Sequence, residues 1–256
     1  MMKLYIFGSC SGTEPFPRRH HTAWALECAQ RLYWFDAGEG CAHTAHMMGV
    51  DLLTVSDIFI SHSHMDHVGG LPHLLWTIRK LTKRLKRQPK YQDITVYSPN
   101  AESFGGVMAM LKNAEGQYKN AYETKFVQAK DGILLKSETV TVTAKHNLHM
   151  KPTDEGYQSF SYVIEAEGKR IVYSGDVASM EELDDLIADG CDALLTETGH
   201  HDPVELCEHL KGKRLGHLYF LHHGRVILHN YDDVAAQCRA IMPNVTLCND
   251  KDIFEL

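Results

Sequence analysis

The sequence predicts an α+β fold in which two β-sheets pack face to face and helices cover their outer sides, four layers in all. Three observations lead there. Short runs rich in β-branched and aromatic residues recur along the chain, bounded by Gly, Asp and Asn, as strands are. Between some of them lie stretches with apolar residues three and four apart, the spacing of one helical face. A cluster of histidines and an aspartate stands where a buried strand gives way to a helix. Strand pattern alone leaves several α+β folds open, and this cluster decides among them.

The strand-like runs are Lys3–Phe7, Thr22–Glu27, Leu32–Phe35, Ile58–Ser61, Ile94–Tyr97, Thr139–Ala144, Phe160–Glu165 and Arg170–Tyr173. Ala193–Thr196, Leu218–Leu221, Thr246–Leu247 and Ile253–Leu256 complete them. One helix is expected from about Gly40 to Met48. A second, Leu71 to Lys86, carries Leu71, Leu74, Leu75, Ile78, Leu81 and Leu85 on one face and Arg79, Lys80, Lys83, Arg84, Lys86 and Arg87 on the other, with Pro89 just past its end. A third follows Asp202-Pro203, a cap and a first-turn proline. A fourth covers Asp232–Ile241.

The 256 residues suffice for a full core, and a single domain over 1–256 is expected. No apolar run reaches the roughly 20 residues of a membrane helix. The opening Met1-Met2-Lys3-Leu4-Tyr5-Ile6-Phe7-Gly8 reads as a buried strand rather than a signal peptide. Seven scattered cysteines with no Cys-x-x-Cys pair suit reduced thiols in a cytoplasmic protein. A net charge of −7 excludes a general polycation, so a nucleic-acid substrate would meet a local basic patch helped by bound metal. Histidine is abundant, 17 in all. His43, His46, His73, His209 and His229 sit in helical or loop stretches and read as ordinary surface or core residues.

His62-Ser63-His64-Met65-Asp66-His67 places three imidazoles and a carboxylate within six residues. Ile58-Phe59-Ile60-Ser61 before it is a buried strand, and Gly69-Gly70-Leu71-Pro72 after it opens a helix. Residues two apart on an extended segment share a face, so His62 and His64 can grip one ion. Asp66 and His67, past the bend, can turn toward a second. Nitrogen and carboxylate donors suit zinc first, then manganese or iron.

This motif is that of the metallo-β-lactamase superfamily, and the chain resembles its ribonuclease Z branch and phosphodiesterase relatives. Gly8-Ser9-Cys10-Ser11-Gly12-Thr13 resembles that branch's first glycine-rich turn, Phe35-Asp36-Ala37-Gly38-Glu39-Gly40 its first conserved motif, and Ser61 through Pro72 its metal loop. The resemblance implies the αββα sandwich, two divalent ions and further ligands. Asp176, in Tyr173-Ser174-Gly175-Asp176, takes the place of the bridging carboxylate. His222, ending the strand Leu218-Tyr219-Phe220-Leu221, takes that of the last histidine, with His223 its rival. His149 matches the ligand after the strand ending at Ala144, with His146 the other candidate. One ion would then see His62, His64, His149 and Asp176, the other Asp66, His67, Asp176 and His222, with a bridging hydroxide between them. Asp36 is expected to orient a ligand histidine. Glu197 and His200 stand where the branch has a glutamate and a histidine that assists the leaving oxygen, and His201 is the neighbouring candidate. Asp66, His200 and Glu197 are therefore the expected catalytic residues.

Two features depart from ribonuclease Z. The glycine- and proline-rich arm that grips tRNA is missing, its region holding the basic helix instead. The branch's His-Phe-Ser signature reads His222-His223-Gly224-Arg225 here. Both weaken tRNA 3′ processing as the substrate assignment and leave the chemistry intact. The expected function is a dinuclear metal-dependent phosphodiesterase acting on a phosphodiester or nucleic-acid-like substrate, with a lactonase or other carboxylic-ester hydrolase as the alternative. No membrane partner is expected; a homodimer is.

Overall fold

A computed structural model describes residues 2–114, 122–188 and 190–256. The chain begins β1 (Lys3–Gly8), β2 (Ala23–Cys28), β3 (Arg31–Phe35), α1 (Cys41–Met47), β4 (Val55–Phe59), α2 (Met65–Val68), α3 (Leu71–Leu85), β5 (Asp93–Ser98), α4 (Ala101–Ala114) and β6 (Glu123–Gln128). It continues β7 (Gly132–Lys136), β8 (Val140–His146), β9 (Phe160–Ala166), β10 (Lys169–Tyr173), α5 (Glu182–Ile187) and β11 (Cys191–Thr198), then α6 (Pro203–Leu210), β12 (Leu215–His223), α7 (Arg225–Ile241), β13 (Val245–Leu247) and β14 (Ile253–Glu255). These elements form two compact units.

The first unit comprises Met1–Gly8, His20–Ala129 and Asp250–Leu256. Its seven-stranded sheet runs β14-β1-β2-β3-β4-β5-β6, antiparallel from β14 to β3 and parallel from β3 to β6. Side chains alternate across a strand, so each strand serves two faces. Ala25, Trp34, Ile58 and Val96 pack with Ala42 and Ala45 of α1, Leu74, Leu75 and Ile78 of α3 and Leu111 of α4. The intervening residues Trp24, Phe35, Phe59 and Tyr97 form a ring ladder on the other face, with successive centroids 4.3, 5.0 and 4.6 Å apart.

The second unit comprises Ser9–Arg19 and Lys130–Asn249. Its sheet runs β13-β12-β11-β10-β9-β8-β7, antiparallel from β7 to β10 and parallel onward. Val172, Leu194, Leu218 and Phe220 pack with Leu183 and Leu186 of α5, Leu206 and Leu210 of α6, and Val234, Ala235 and Cys238 of α7. Asp202 caps α6 as its sequence suggests, its carboxylate accepting from the amides of Val204 and Glu205.

Five elements are not predicted by the sequence, among them the four-residue α2. β6 and β7 are partly exposed strands at sheet edges, so neither shows a clean apolar signal. α4 carries Gly105 and Gly106 inside it, and α5 is only six residues long. α7 begins at Arg225 rather than Asp232, because non-helical Asn230 interrupts its periodicity. Arg79, assigned to the outer face of α3, is buried at 6% exposure. At about 100° per residue it lies at the edge of the arc that holds Leu75, Ile78 and Thr82.

Candidate metal centre

In the first unit β4 ends at Phe59, and Ile60 leaves it with its amide bonded to the Tyr97 carbonyl at 2.8 Å. Ser61 to His64 form the loop, and Asp66 and His67 lie in the short α2. Asp36, just past β3, holds this segment. It adopts φ 53°, and its carboxylate accepts from the Ser61 amide at 2.6 Å, the Ser61 hydroxyl at 2.8 Å and His67 Nδ1 at 2.8 Å. A carboxylate only accepts, so His67 carries its proton on Nδ1. The Ser61 hydroxyl, already donating to Asp36, accepts from His62 Nδ1 at 3.0 Å. Both rings therefore carry their proton on Nδ1, which leaves Nε2 as the nitrogen a metal would take, and Asp36 holds the His67 ring directly.

Two glycines make this packing possible, and the sequence reading gave them no role. A Cβ on Gly38 would lie 2.6 Å from the Asp66 carbonyl oxygen, and one on Gly70 would lie 2.1 Å from the Gly38 oxygen. The backbones meet through Ala37 N to His67 O at 2.6 Å and Gly70 N to Ala37 O at 2.7 Å.

In the second unit the candidate residues come from strand ends. Asn147 follows β8, its side-chain oxygen accepting from the His149 amide at 3.2 Å while its amide group donates to Ser161 Oγ at 3.1 Å. Asp176 follows β10 after Gly175, whose φ is 57°. Glu197 is near the end of β11, His200 just beyond it, and His222 is the second-to-last residue of β12, with φ 49°. Asp176, Glu197, His200 and His222 offer donor atoms within 4.8 Å of one another. His149 Nε2 lies 3.7 Å and His222 Nε2 3.3 Å from Asp176 Oδ2. A Cβ on Gly199 would stand 2.5 Å from His222 Nδ1, so that glycine admits the ring.

Glu197, 2% exposed, accepts from the amides of Val177, Gly199 and His200 and from His200 Nδ1 at 3.0 Å. Burial pushes its carboxyl up, but the hydrogen bond from His200 and the His222 imidazole, its Nδ1 3.7 Å away, outweigh that and hold it well below the usual carboxylate range. The same Glu197 bond raises the His200 imidazole above its ordinary value, against partial burial.

The rival histidines have other partners. His146 bonds Asp131 at 2.7 Å and stacks on Tyr157 with centroids 3.6 Å apart. His201 donates from Nε2 to the Val177 carbonyl at 3.1 Å. His223 bonds Thr198 at 3.0 Å and the Cys248 carbonyl at 2.8 Å, and complete burial pushes its imidazole down to about 3. All five expected helical or loop histidines, His43, His46, His73, His209 and His229, lie on helices.

The donor geometry within each unit fits a metal. Two ligands of one tetrahedral zinc, at bonds of about 2.0–2.1 Å, stand roughly 3.3 Å apart. His62 Nε2 and His64 Nδ1 are 3.0 Å apart, His67 Nε2 and Asp66 Oδ2 3.4 Å, and His222 Nε2 and Asp176 Oδ2 3.3 Å.

The whole chain superimposes on solved structures of one fold. Human tRNase Z, short form, matches with a TM-score of 0.74 at 19% identity, over 99% of this chain and 98% of that one. The metallo-β-lactamase fold protein YhfI from Bacillus subtilis matches at 0.74 and 17%, over 99% and 98%. Zinc-bound PqqB from Methylobacterium extorquens matches at 0.68 and 17%, over 99% and 100%. Among curated sequences, ribonuclease Z of Oenococcus oeni is 29% identical over 164 residues, 63% of this chain and 47% of that protein. That of Lactobacillus delbrueckii subsp. bulgaricus is 32% identical over 142 residues, 54% of this chain and 42% of that protein. The chain thus spans less than half the length of these curated relatives. The chain is similar in part to ribonuclease Z and has the α+β metallo-β-lactamase fold of these structures. Within it, the chain belongs to the family described as anti-Pycsar protein Apyc1, whose model matches residues 2–253.

Proposed function

We propose that this chain is a dinuclear metal-dependent phosphodiesterase working as one catalytic domain over residues 1–256. The observation that carries the reading is Glu197 holding His200 through Nδ1 beside the Asp176–His222 donor pair. His62, His64, His149 and Asp176 would hold one ion, and Asp66, His67, Asp176 and His222 the other, with zinc the first choice and manganese or iron the alternatives. When bound, such a pair lowers the pKa of water toward about 7 and neutralises charge on the phosphoryl oxygens.

The chain's own residues do the rest. Asp36 and Ser61 fix the His62 and His67 tautomers, and Asn147 fixes the backbone at His149. Asp66 joins the donor set from the first turn of α2. His200, its Nδ1 proton held by Glu197, presents Nε2 to the leaving oxygen and gives it a proton as the P–O bond breaks. Glu197 compensates the positive charge of the imidazolium before that transfer.

The substrate is a phosphodiester or nucleic-acid-like molecule. No helix among the described residues is long and apolar enough to cross a membrane. A cytoplasmic setting suits seven cysteines that are all buried as thiols. The test is hydrolysis of bis-p-nitrophenyl phosphate beside an acyl-homoserine lactone. Diester cleavage with little lactone opening supports the reading; fast lactone opening with no diester cleavage replaces it by a carboxylic-ester hydrolase.

A further inference from the structure

We infer that the outer stripe of α3 is a binding track for a single-stranded phosphodiester chain, leading away from the ligand loop. The helix follows that loop directly: α2 holds Asp66 and His67, and Gly70 is the N-cap of α3. At about 100° per residue, His73, Trp76, Lys80, Lys83 and Arg84 fall within an arc of about 100°. Leu71, Leu74, Leu75, Ile78 and Thr82, all buried, occupy the opposite side. At 1.5 Å per residue the stripe runs roughly 16 Å along the helix.

The chemistry of the stripe is specific. The His73 and Trp76 rings stack with centroids 5.5 Å apart, and Lys80 Nζ lies 4.8 Å from the Trp76 centroid. The indole thereby pins the first cation against the helix. Lys83 and Arg84 are exposed one turn further on. Arg79 is turned inward and Arg87 is engaged by Asp51, so these cations are not part of the track.

A helix face kept merely for solubility intersperses Glu with Lys at i and i+4. Leu71–Leu85 contains no acidic residue at all, in a chain whose net charge is −7. Such an acid-free basic stripe set with aromatic rings is the pattern that follows a sugar-phosphate backbone without reading its sequence. It rests on the phosphodiesterase reading only for what happens at the ligand loop; strand binding is a separate property.

The test is fluorescence anisotropy with a phosphorothioate single strand of about 12 nucleotides. The metal-loaded full chain is titrated at several salt concentrations, with bis-p-nitrophenyl phosphate hydrolysis measured in parallel. Lys83→Ala with Arg84→Ala should weaken strand binding by about tenfold and lower the log–log salt slope by about 1.4, from roughly 0.7 per phosphate contact. Lys83→Arg should keep both, and hydrolysis of the small diester should not change in either variant. Equal affinity and slope in the double variant overturn the track. So does a wild-type chain that ignores the strand, including one that binds a polyglutamate peptide instead. Strand binding with the expected slope but no small-diester hydrolysis upholds the track and defeats the catalytic reading.

Discussion

The donor cluster of the first unit is wound into one loop and one helical turn, whereas that of the second is assembled from the ends of separate strands. His62, His64, Asp66 and His67 share a single backbone path, and one carboxylate, Asp36, braces it through Ser61 and His67. His149, Asp176, Glu197, His200 and His222 come from the termini of β8, β10, β11 and β12, so sheet register sets their spacing. The local cluster depends on close backbone approach at Gly38 and Gly70. The dispersed one depends on parallel pairing, which puts the ends of β10, β11 and β12 side by side. The side chains divide along the same line: the loop offers candidate donors alone, while the strand ends also offer the hydrogen-bonded pair Glu197 and His200, which we propose as the proton-transfer pair.

Substitutions should separate the two kinds of construction. The largest effect is expected at Asp176, whose Oδ2 faces both His149 and His222. Asp176→Ala should abolish turnover and deplete metal by elemental analysis while the fold persists by circular dichroism. Full metal content in that variant would show that the dispersed cluster is not a metal site.

His200→Ala comes next, and its effect should depend on the leaving group. With an alkoxide leaving group, which needs a proton, kcat should fall by about 10²–10⁴. With p-nitrophenolate, a good leaving group unprotonated, the loss should be much smaller, and metal content should not change. Equal losses on both substrates would mean that His200 acts by holding the site together.

Asp36→Asn tests the brace of the local cluster. The variant keeps the shape and loses the charge that fixes the His67 tautomer, so metal affinity should drop by about 10–100-fold in a chelator competition. The smallest effect is expected at His146, which bonds Asp131 and stacks on Tyr157. His146→Ala should leave metal content and kcat near wild type, whereas His149→Ala should lose both. The reverse pattern would show that the ligand on this segment lies three residues earlier.

The same contrast explains what could be read before the fold was known. His62 to His67 declares itself because the ligands are adjacent and flanked by a buried strand and a helix start. Asp176, His149 and His222 look individually like ordinary turn or strand-end residues, and only resemblance to a family singled them out. Register, which a single sequence does not specify, is what brings them together. Asn147 and Gly199 were overlooked, and the packing roles of Gly38 and Gly70 unread, for a related reason, since these roles exist only in three-dimensional contact. The strands and helices that were missed, β6, β7, α2, α4 and α5, lie at sheet edges, are short or carry internal glycines.

The most direct question is whether the loop cluster and the strand-end cluster both hold metal. Elemental analysis of the chain, purified without chelator and reloaded with zinc, gives the answer. About two ions per chain are expected, one depending on His62 and His64 and the other on Asp66 and His67, with Asp176 needed for both. A chain that carries no ion after reloading with zinc or manganese would contradict it.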